Sequence, residues 1–119
     1  MNAYEIPNLR FSIPAGAAVP RHRFVSVNNN GLAIAATAAT PVIGASMNEV
    51  TDSTTLPATK QIVEIADGLV VVEAAGTIAA GAAVYSDANG KATGTGTTAC
   101  GVAITNATAA GALVTVKIA

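Results

Sequence analysis

The stretch IAAGAAVYSDANGKATGTGTTACGVAIT, residues 78–105, contains one aromatic side chain, Tyr85, and consists mainly of alanine, glycine and threonine. Hydrophobic residues make up 51% of the 119-residue chain, but many of them are alanine, so valine and isoleucine must form the core. β-Branched residues spaced by alanine suit closely packed strands, and the scarcity of leucine disfavours a helical bundle. The stretch therefore predicts an all-β fold with a thin core.

Turn signals divide the chain into predicted strands. Asn89-Gly90 lies in AVYSDANGKAT and predicts a hairpin with a longer turn. Asp67-Gly68, at the end of KQIVEIAD, predicts a two-residue hairpin, because Asp-Gly supplies the positive φ of a type I′ turn. The last seven residues, LVTVKIA, alternate in the manner of a strand and place Leu113, Thr115 and Lys117 on the same face.

The two halves of the chain share an order of landmarks that indicates an internal duplication. IPAGAAV at 13–19 matches IAAGAAV at 78–84 in six of seven positions. In each half an Asn-Gly turn follows, then a glycine (Gly44 and Gly101) before a short strand, and then a final strand. Two repeats are too few for a solenoid but fit a pseudo-symmetric barrel or sandwich.

The predicted fold is a small β-barrel or β-clip-like sandwich built from two pseudo-repeated halves. Residues 1–12 are predicted to form an N-terminal arm and residues 13–119 a single β-domain, with pseudo-repeats at about 13–75 and 76–119. Threonine, glycine and proline interrupt the alanine-rich runs, so we expect at most one short helix or turn near Ser53–Thr59.

Composition argues against several classes of function. Six basic and seven acidic residues give a net charge of −1 and no basic face, so direct nucleic-acid binding is not expected. No apolar run reaches the roughly 20 residues of a membrane span, and the first residues do not resemble a secretory signal. Cys100 and His22 are each the sole residue of their type. The sequence thus predicts no enzyme and no catalytic, cofactor-binding or metal site.

Two short segments are the candidate contacts with a partner. The first eleven residues are apolar enough to require burial, either on the chain's own barrel or by edge pairing with a strand of a neighbouring chain. PRHR at 20–23 is either a solvated strand start or a contact with an acidic patch. The candidate partner-binding residues are Tyr4, Ile6, Leu9, Arg10, Phe11, Arg21 and Arg23.

The last 45 residues resemble the capsid cement or head decoration proteins of tailed bacteriophages, in which the pattern AGxxVYxD…GK…GVA recurs. The matching residues here are Ala80, Gly81, Val84, Tyr85, Asp87, Gly90, Lys91, Gly101, Val102 and Ala103. The resemblance implies a small β-barrel or β-clip-like fold. It also implies attachment to the outside of an icosahedral shell, often as trimers, which strengthens the shell against packaged DNA.

We therefore predict a structural capsid decoration protein that binds the outer surface of the head and stabilises contacts between subunits of the major capsid protein. It is expected to be made in the host cytoplasm, to be a homo-oligomer with a trimer favoured, and to reside in the virion. Only 11% of the residues are charged, which agrees with a surface that a partner partly covers. The alternative is a virion surface binding module, such as a fibre base or a carbohydrate-contacting domain.

Overall fold

The structure is a computed structural model that describes residues 3, 6–51 and 61–118, with the backbone alone for residues 6–8. The strands are β1 (Ile6–Pro14), β2 (Phe24–Val27), β3 (Ala33–Ala35), β4 (Gly44–Ser46), β5 (Ile62–Glu73), β6 (Ala83–Ser86), β7 (Ala92–Thr93), β8 (Gly101–Ala103) and β9 (Leu113–Ile118). They form one curled antiparallel sheet in the order β3-β2-β4-β5-β9-β8-β6-β7, with β1 paired to β5. The predicted all-β, barrel-like fold is confirmed.

No helix that could cross a membrane occurs in the part of the chain that the structure describes. The helix or turn predicted near Ser53–Thr59 lies outside the described residues.

The central strand is β5, which is 12 residues long and pairs with three other strands. Its first part, residues 62–69, pairs with β1, and residues 65–66 also pair with β4. Its second part, residues 69–73, pairs with β9. One strand thus connects the two halves of the sheet.

The hairpin predicted at Asp67-Gly68 is wrong, because the chain continues through these residues as one strand. Gly68 has a φ of +104°, and its backbone N–H donates a hydrogen bond of 2.8 Å to Asp67 Oδ1. The register with β1 shifts between Pro7 and Leu9, next to Gly68, which is the mark of a β-bulge. The extra residue of the bulge, Asn8, lies in β1, so the positive φ of Gly68 lies opposite the bulge, and pairing with β1 and β9 continues β5 on both sides of it.

The two halves of the sheet repeat the same strand pairs. The parallel bridge between Ala15 and Ala33 recurs 59 residues later between Ala74 and Ala92. The pairing of β2 with β4 recurs as β6 with β8, and the pairing of β1 with β5 recurs as β5 with β9. The final part of repeat 1 and the first part of repeat 2 are therefore the same strand, β5.

The matched pairs define repeat 1 as residues 10–66 and repeat 2 as residues 69–117. The strand pairs support the predicted internal duplication, but they place its halves differently from the predicted bounds of about 13–75 and 76–119, and the seven-residue sequence match is out of structural register. The antiparallel bridge of Val19 corresponds to that of Ile78, the first residue of the matching segment rather than the last. The similarity between segments 13–19 and 78–84 is a chance match, because both consist mainly of alanine and glycine.

Each repeat contains the same turn, and the hairpin predicted around Asn89-Gly90 is confirmed. In repeat 1, Asn28 Oδ1 accepts hydrogen bonds from the N–H groups two and four residues on, at 2.9 and 3.0 Å. In repeat 2, Asp87 Oδ1 does the same at 2.8 and 2.9 Å. Gly31 and Gly90 supply the positive φ of each turn, at +75° and +78°.

Each repeat curls around its own core. Core 1 contains Ala15, Val19, Val25, Ala33, Val50, Val63 and Ile65, with Phe11, Ile13 and Ile43 packed at its margin. Core 2 contains Val70, Val72, Ala74, Ile78, Val84, Ala92, Ala103, Ala107, Val114 and Val116, together with Phe24, Ala36, Ala45 and Ala66 of repeat 1. Because successive residues of a strand point to opposite faces, β2 places Val25 in core 1 and Phe24 in core 2.

A glycine begins β4 and another begins β8, where the neighbouring strand leaves no room for a side chain. A Cβ on Gly44 would lie 2.5 Å from the carbonyl oxygen of Ala66. A Cβ on Gly101 would collide with the carbonyl oxygen of Lys117 and lie 3.0 Å from Val116 Cγ1. These are the two glycines that marked corresponding positions in the sequence.

Polar contacts fasten the turn of repeat 2 to repeat 1. The Phe24 N–H donates to the Gly90 carbonyl oxygen at 2.8 Å. Glu73 Oε2 lies 3.0 Å from Lys91 Nζ and 3.5 Å from Arg23 Nη2. The hydrogen bond from Lys91, aided by Arg23 and opposed by partial burial, holds the pKa of Glu73 below its ordinary value. We call Arg23, Glu73 and Lys91 the junction cluster.

Gly101→Ala is expected to lower the free energy of unfolding by about 1–3 kcal/mol, because the added methyl group forces β8 away from β9. Urea unfolding measures this change. Gly94→Ala is the matched control, since a Cβ there meets no heavy atom within 4 Å, and it should stay within about 0.5 kcal/mol of the wild type. Equal stability of the two variants would contradict the close packing of β8.

Glu73→Gln is expected to cost roughly 1 kcal/mol of stability at neutral pH, because it removes the anion that two cations share. A carboxyl group with a lowered folded-state pKa stabilises the fold above its unfolded pKa, and this contribution is lost as the pH falls through the folded-state pKa. The difference between Glu73→Gln and the wild type should therefore vanish in acid.

Urea unfolding over a pH series tests this prediction. Glu64→Gln serves as the control, since its ion pair with Arg10 is 3.8 Å long and exposed, and it should have little effect at neutral pH. A difference between Glu73→Gln and the wild type that persists unchanged in acid would refute the electrostatic role of the junction cluster.

Candidate functional site

The N-terminal candidates lie on β1, which pairs with β5 of the same chain. Ile6 is the first residue of β1, Leu9, Arg10 and Phe11 lie within it, and Tyr4 lies outside the described residues. Of the two sequence alternatives, docking on the chain's own barrel therefore holds for residues 6–14. Deleting the first eleven residues would remove most of β1, so contacts are better tested by point substitutions.

The two faces of β1 present different chemistry. Phe11 lies opposite Ile65 and packs against core 1. Leu9 lies on the same face, yet 55% of its surface is exposed. Arg10 lies on the other face, where its guanidinium is 3.8 Å from the Glu64 carboxylate and both side chains are largely exposed. An exposed pair of this length contributes little stability, so Arg10 is available to a partner.

The two arginines of PRHR have different environments. Arg21 is exposed in the loop between β1 and β2, as a solvated cation. Arg23 belongs to the junction cluster, with only 14% of its side chain exposed. His22 between them has a φ of +61°, at the position that Gly81 occupies in repeat 2 with a φ of +87°. The structure therefore leaves Arg10 and Arg21, but not Arg23, as exposed cations among the candidates.

A groove of about 400 Å³ lies between corresponding loops of the two repeats and was not predicted from the sequence. Its lining includes the hydroxyl groups of Thr37, Thr40, Ser86 and Thr98, and the half-buried thiol of Cys100. Burial raises the pKa of Cys100, so the thiol stays protonated and unreactive at neutral pH. Within residues 6–51 and 61–118, no group of three His, Cys, Asp or Glu side chains could hold a metal ion.

An exposed apolar strip on repeat 2 was also missed. Val102 in β8 is 44% exposed and Leu113 in β9 is 43% exposed. Val102 lies opposite Lys117, so Val102 shares one face of the sheet with Leu113, Thr115 and Lys117, of which Thr115 is fully buried. The alternation of LVTVKIA had already placed Leu113, Thr115 and Lys117 together, but the sequence could not show that Leu113 and Lys117 are exposed while Thr115 between them is buried.

The comparisons with known proteins give one similar fold and one family. The crystal structure of the head fibre gp8.5 N base of bacteriophage phi29 is similar to this chain, with a TM-score of 0.72, 19% sequence identity and 93% of each chain covered. At that identity the likeness shows the fold. No curated protein matches the sequence. The sequence profile of phage cement proteins matches residues 5–118. The chain belongs to the phage cement protein family.

Proposed function

We propose that this protein binds the outer surface of the phage head and stabilises contacts between neighbouring subunits of the major capsid protein. The observation that carries the proposal is the family match over residues 5–118, which makes the chain a structural, capsid-associated phage protein. The sheet itself is compatible with such a role, since its described residues offer small polar and apolar surfaces rather than a cluster of reactive groups.

The mechanism we propose is attachment by many weak contacts that symmetry repeats over the shell. A bound copy that touches two capsid subunits makes its second contact at a high effective concentration. Such a copy holds the seam between the subunits closed against internal pressure. A homo-oligomer, with a trimer favoured, would multiply the effect again.

Arg10 and Arg21 are the capsid contacts that we propose among the exposed candidates. Their guanidinium groups are solvated in the free chain and are not needed to hold the fold together. Each can form charge-assisted, bidentate hydrogen bonds with a carboxylate on the capsid. Arg23 is assigned to the junction cluster and Phe11 to core 1, so we do not propose them as contacts.

A base for a head fibre is the second candidate function, and the shared fold with the phi29 head fibre base favours it. The two functions differ in what the bound protein carries. A cement protein ends at the capsid surface, whereas a fibre base supports an extended projection. Cryo-electron microscopy of particles with and without the protein separates the two.

Arg10→Glu/Arg21→Glu is expected to weaken binding to purified heads at least about tenfold, since charge reversal replaces attraction with repulsion. Co-sedimentation of the protein with heads assembled in its absence measures the affinity. Wild-type binding should also weaken as salt is added. Arg10→Lys/Arg21→Lys is the matched control and should retain most of the affinity, because both charges remain.

Two results would count against this proposal in different ways. If the wild type failed to sediment with heads, or lay on their inner surface, the proposed function would be wrong. If the wild type bound but the double Glu variant bound equally well, capsid attachment would stand and the two contacts would be wrong.

A further inference from the structure

The contact between the repeats uses the outer face of repeat 1, meaning the face of its sheet that points away from core 1. Phe24, Ala45 and Ala66 lie on this face and are fully buried. They pack into core 2 beside Val70 and Val72, which are also fully buried. Repeat 1 therefore covers the core of repeat 2 with the back of its own sheet.

The corresponding face of repeat 2 is covered only in part: Val71 and Thr115 on it are buried, but the positions that match Phe24, Ala45 and Ala66 are exposed. The strand pairs match Phe24 with Ala83, Ala45 with Val102, and Ala66 with Lys117. Ala83, Val102 and Lys117 are exposed, whereas all three of their counterparts are buried. We call the exposed surface of Ala83, Val102 and Lys117 the outer face of repeat 2; Leu113 lies on the same side, beyond the buried Thr115.

The margin of core 1 is open in the complementary way. The matched pairs relate Phe11 to Val70 and Ile13 to Val72. Val70 and Val72 are fully buried, but Phe11 and Ile13 are only half-buried, and Leu9 beyond them is 55% exposed. Within the described residues, the margin of core 1 therefore lacks a sheet face packed against it, and the outer face of repeat 2 lacks a core margin to pack on.

We propose that the outer face of repeat 2 in one copy packs against the open margin of core 1 in a second copy, so that it repeats between chains the contact made within the chain. The occupant is a second copy of this protein, because the chain itself carries both complementary surfaces. The sheet face that fits core 2 is apolar, with Phe24 beside Ala45 and Ala66, and Ala83 and Val102 continue that apolar chemistry on repeat 2.

Charge supports the same pairing. Lys117 introduces a cation where repeat 1 has Ala66. Asp67 lies opposite Leu9 in the register of β5 and β1, at the margin of core 1, and is partly exposed. In repeat 2 the residue that corresponds to Asp67 is Ile118 of β9, so the margin of core 2 has no carboxylate at this position. Lys117 of one copy can therefore pair with Asp67 of the next.

The proposed contact is heterologous, since two different surfaces meet, and it closes into a ring or continues as a filament according to the rotation between copies. It is a property of the free protein and does not rest on attachment to the capsid. Association in solution and binding to heads can consequently fail independently of each other.

Sedimentation velocity over a range of protein concentrations tests the proposal. The wild type should associate, and Val102→Glu should shift its association midpoint at least tenfold to higher concentration. Val27→Glu is the matched control, since Val27 is a similarly exposed strand valine, at 40%, outside both surfaces, and should associate like the wild type. A wild type that stays monomeric, or equal loss of association in both variants, overturns the proposal.

A charge exchange tests the same contact without placing a charge in an apolar site. Lys117→Asp should weaken association, and Lys117→Asp/Asp67→Lys should associate more tightly than either single variant. Asp67 also accepts a hydrogen bond from Gly68, so thermal unfolding of Asp67→Lys alone measures that separate cost. Absence of recovery in the folded double variant would contradict the pairing of the two residues.

Discussion

The sharing of β5 between the two repeats is the constraint on which the rest of the structure depends. A strand that ends repeat 1 and begins repeat 2 fixes the two curled halves relative to each other. The outer face of repeat 1, with Phe24 at its centre, then lies over core 2. The junction cluster and the hydrogen bond from Phe24 to Gly90 follow from this placement rather than cause it.

Small side chains are what this arrangement requires. A sheet buried on both faces, as β2 and β4 are, can approach its neighbours only if glycine and alanine occupy the closest points. Valine and isoleucine supply the remaining apolar surface at every second residue. The asymmetry between the repeats leaves part of one sheet face and one core margin exposed, and the proposed self-association would bury both.

Local patterns could be predicted from the sequence, and non-local ones could not. The Asn89-Gly90 hairpin and the last strand depend on neighbouring residues, and both were confirmed. Gly44 and Gly101 did mark corresponding positions, although their cause is the close approach of Ala66 and Lys117 across the sheet. Asp67-Gly68 has the same local signal as a hairpin, but pairing with β1 and β9 overrides it. Arg23 could not be assigned to the fold, because its partner Glu73 lies 50 residues away in the chain.

The central claim is that the two repeats form one cooperative unit because they share β5 and core 2. Native-state hydrogen exchange at increasing denaturant tests this claim most directly, through the amides of Val25 in repeat 1 and Val116 in repeat 2. The account predicts that both amides open with the same free energy, within about 0.5 kcal/mol, and with the same dependence on denaturant. Continued protection of Val116 under conditions in which Val25 has already opened would contradict it.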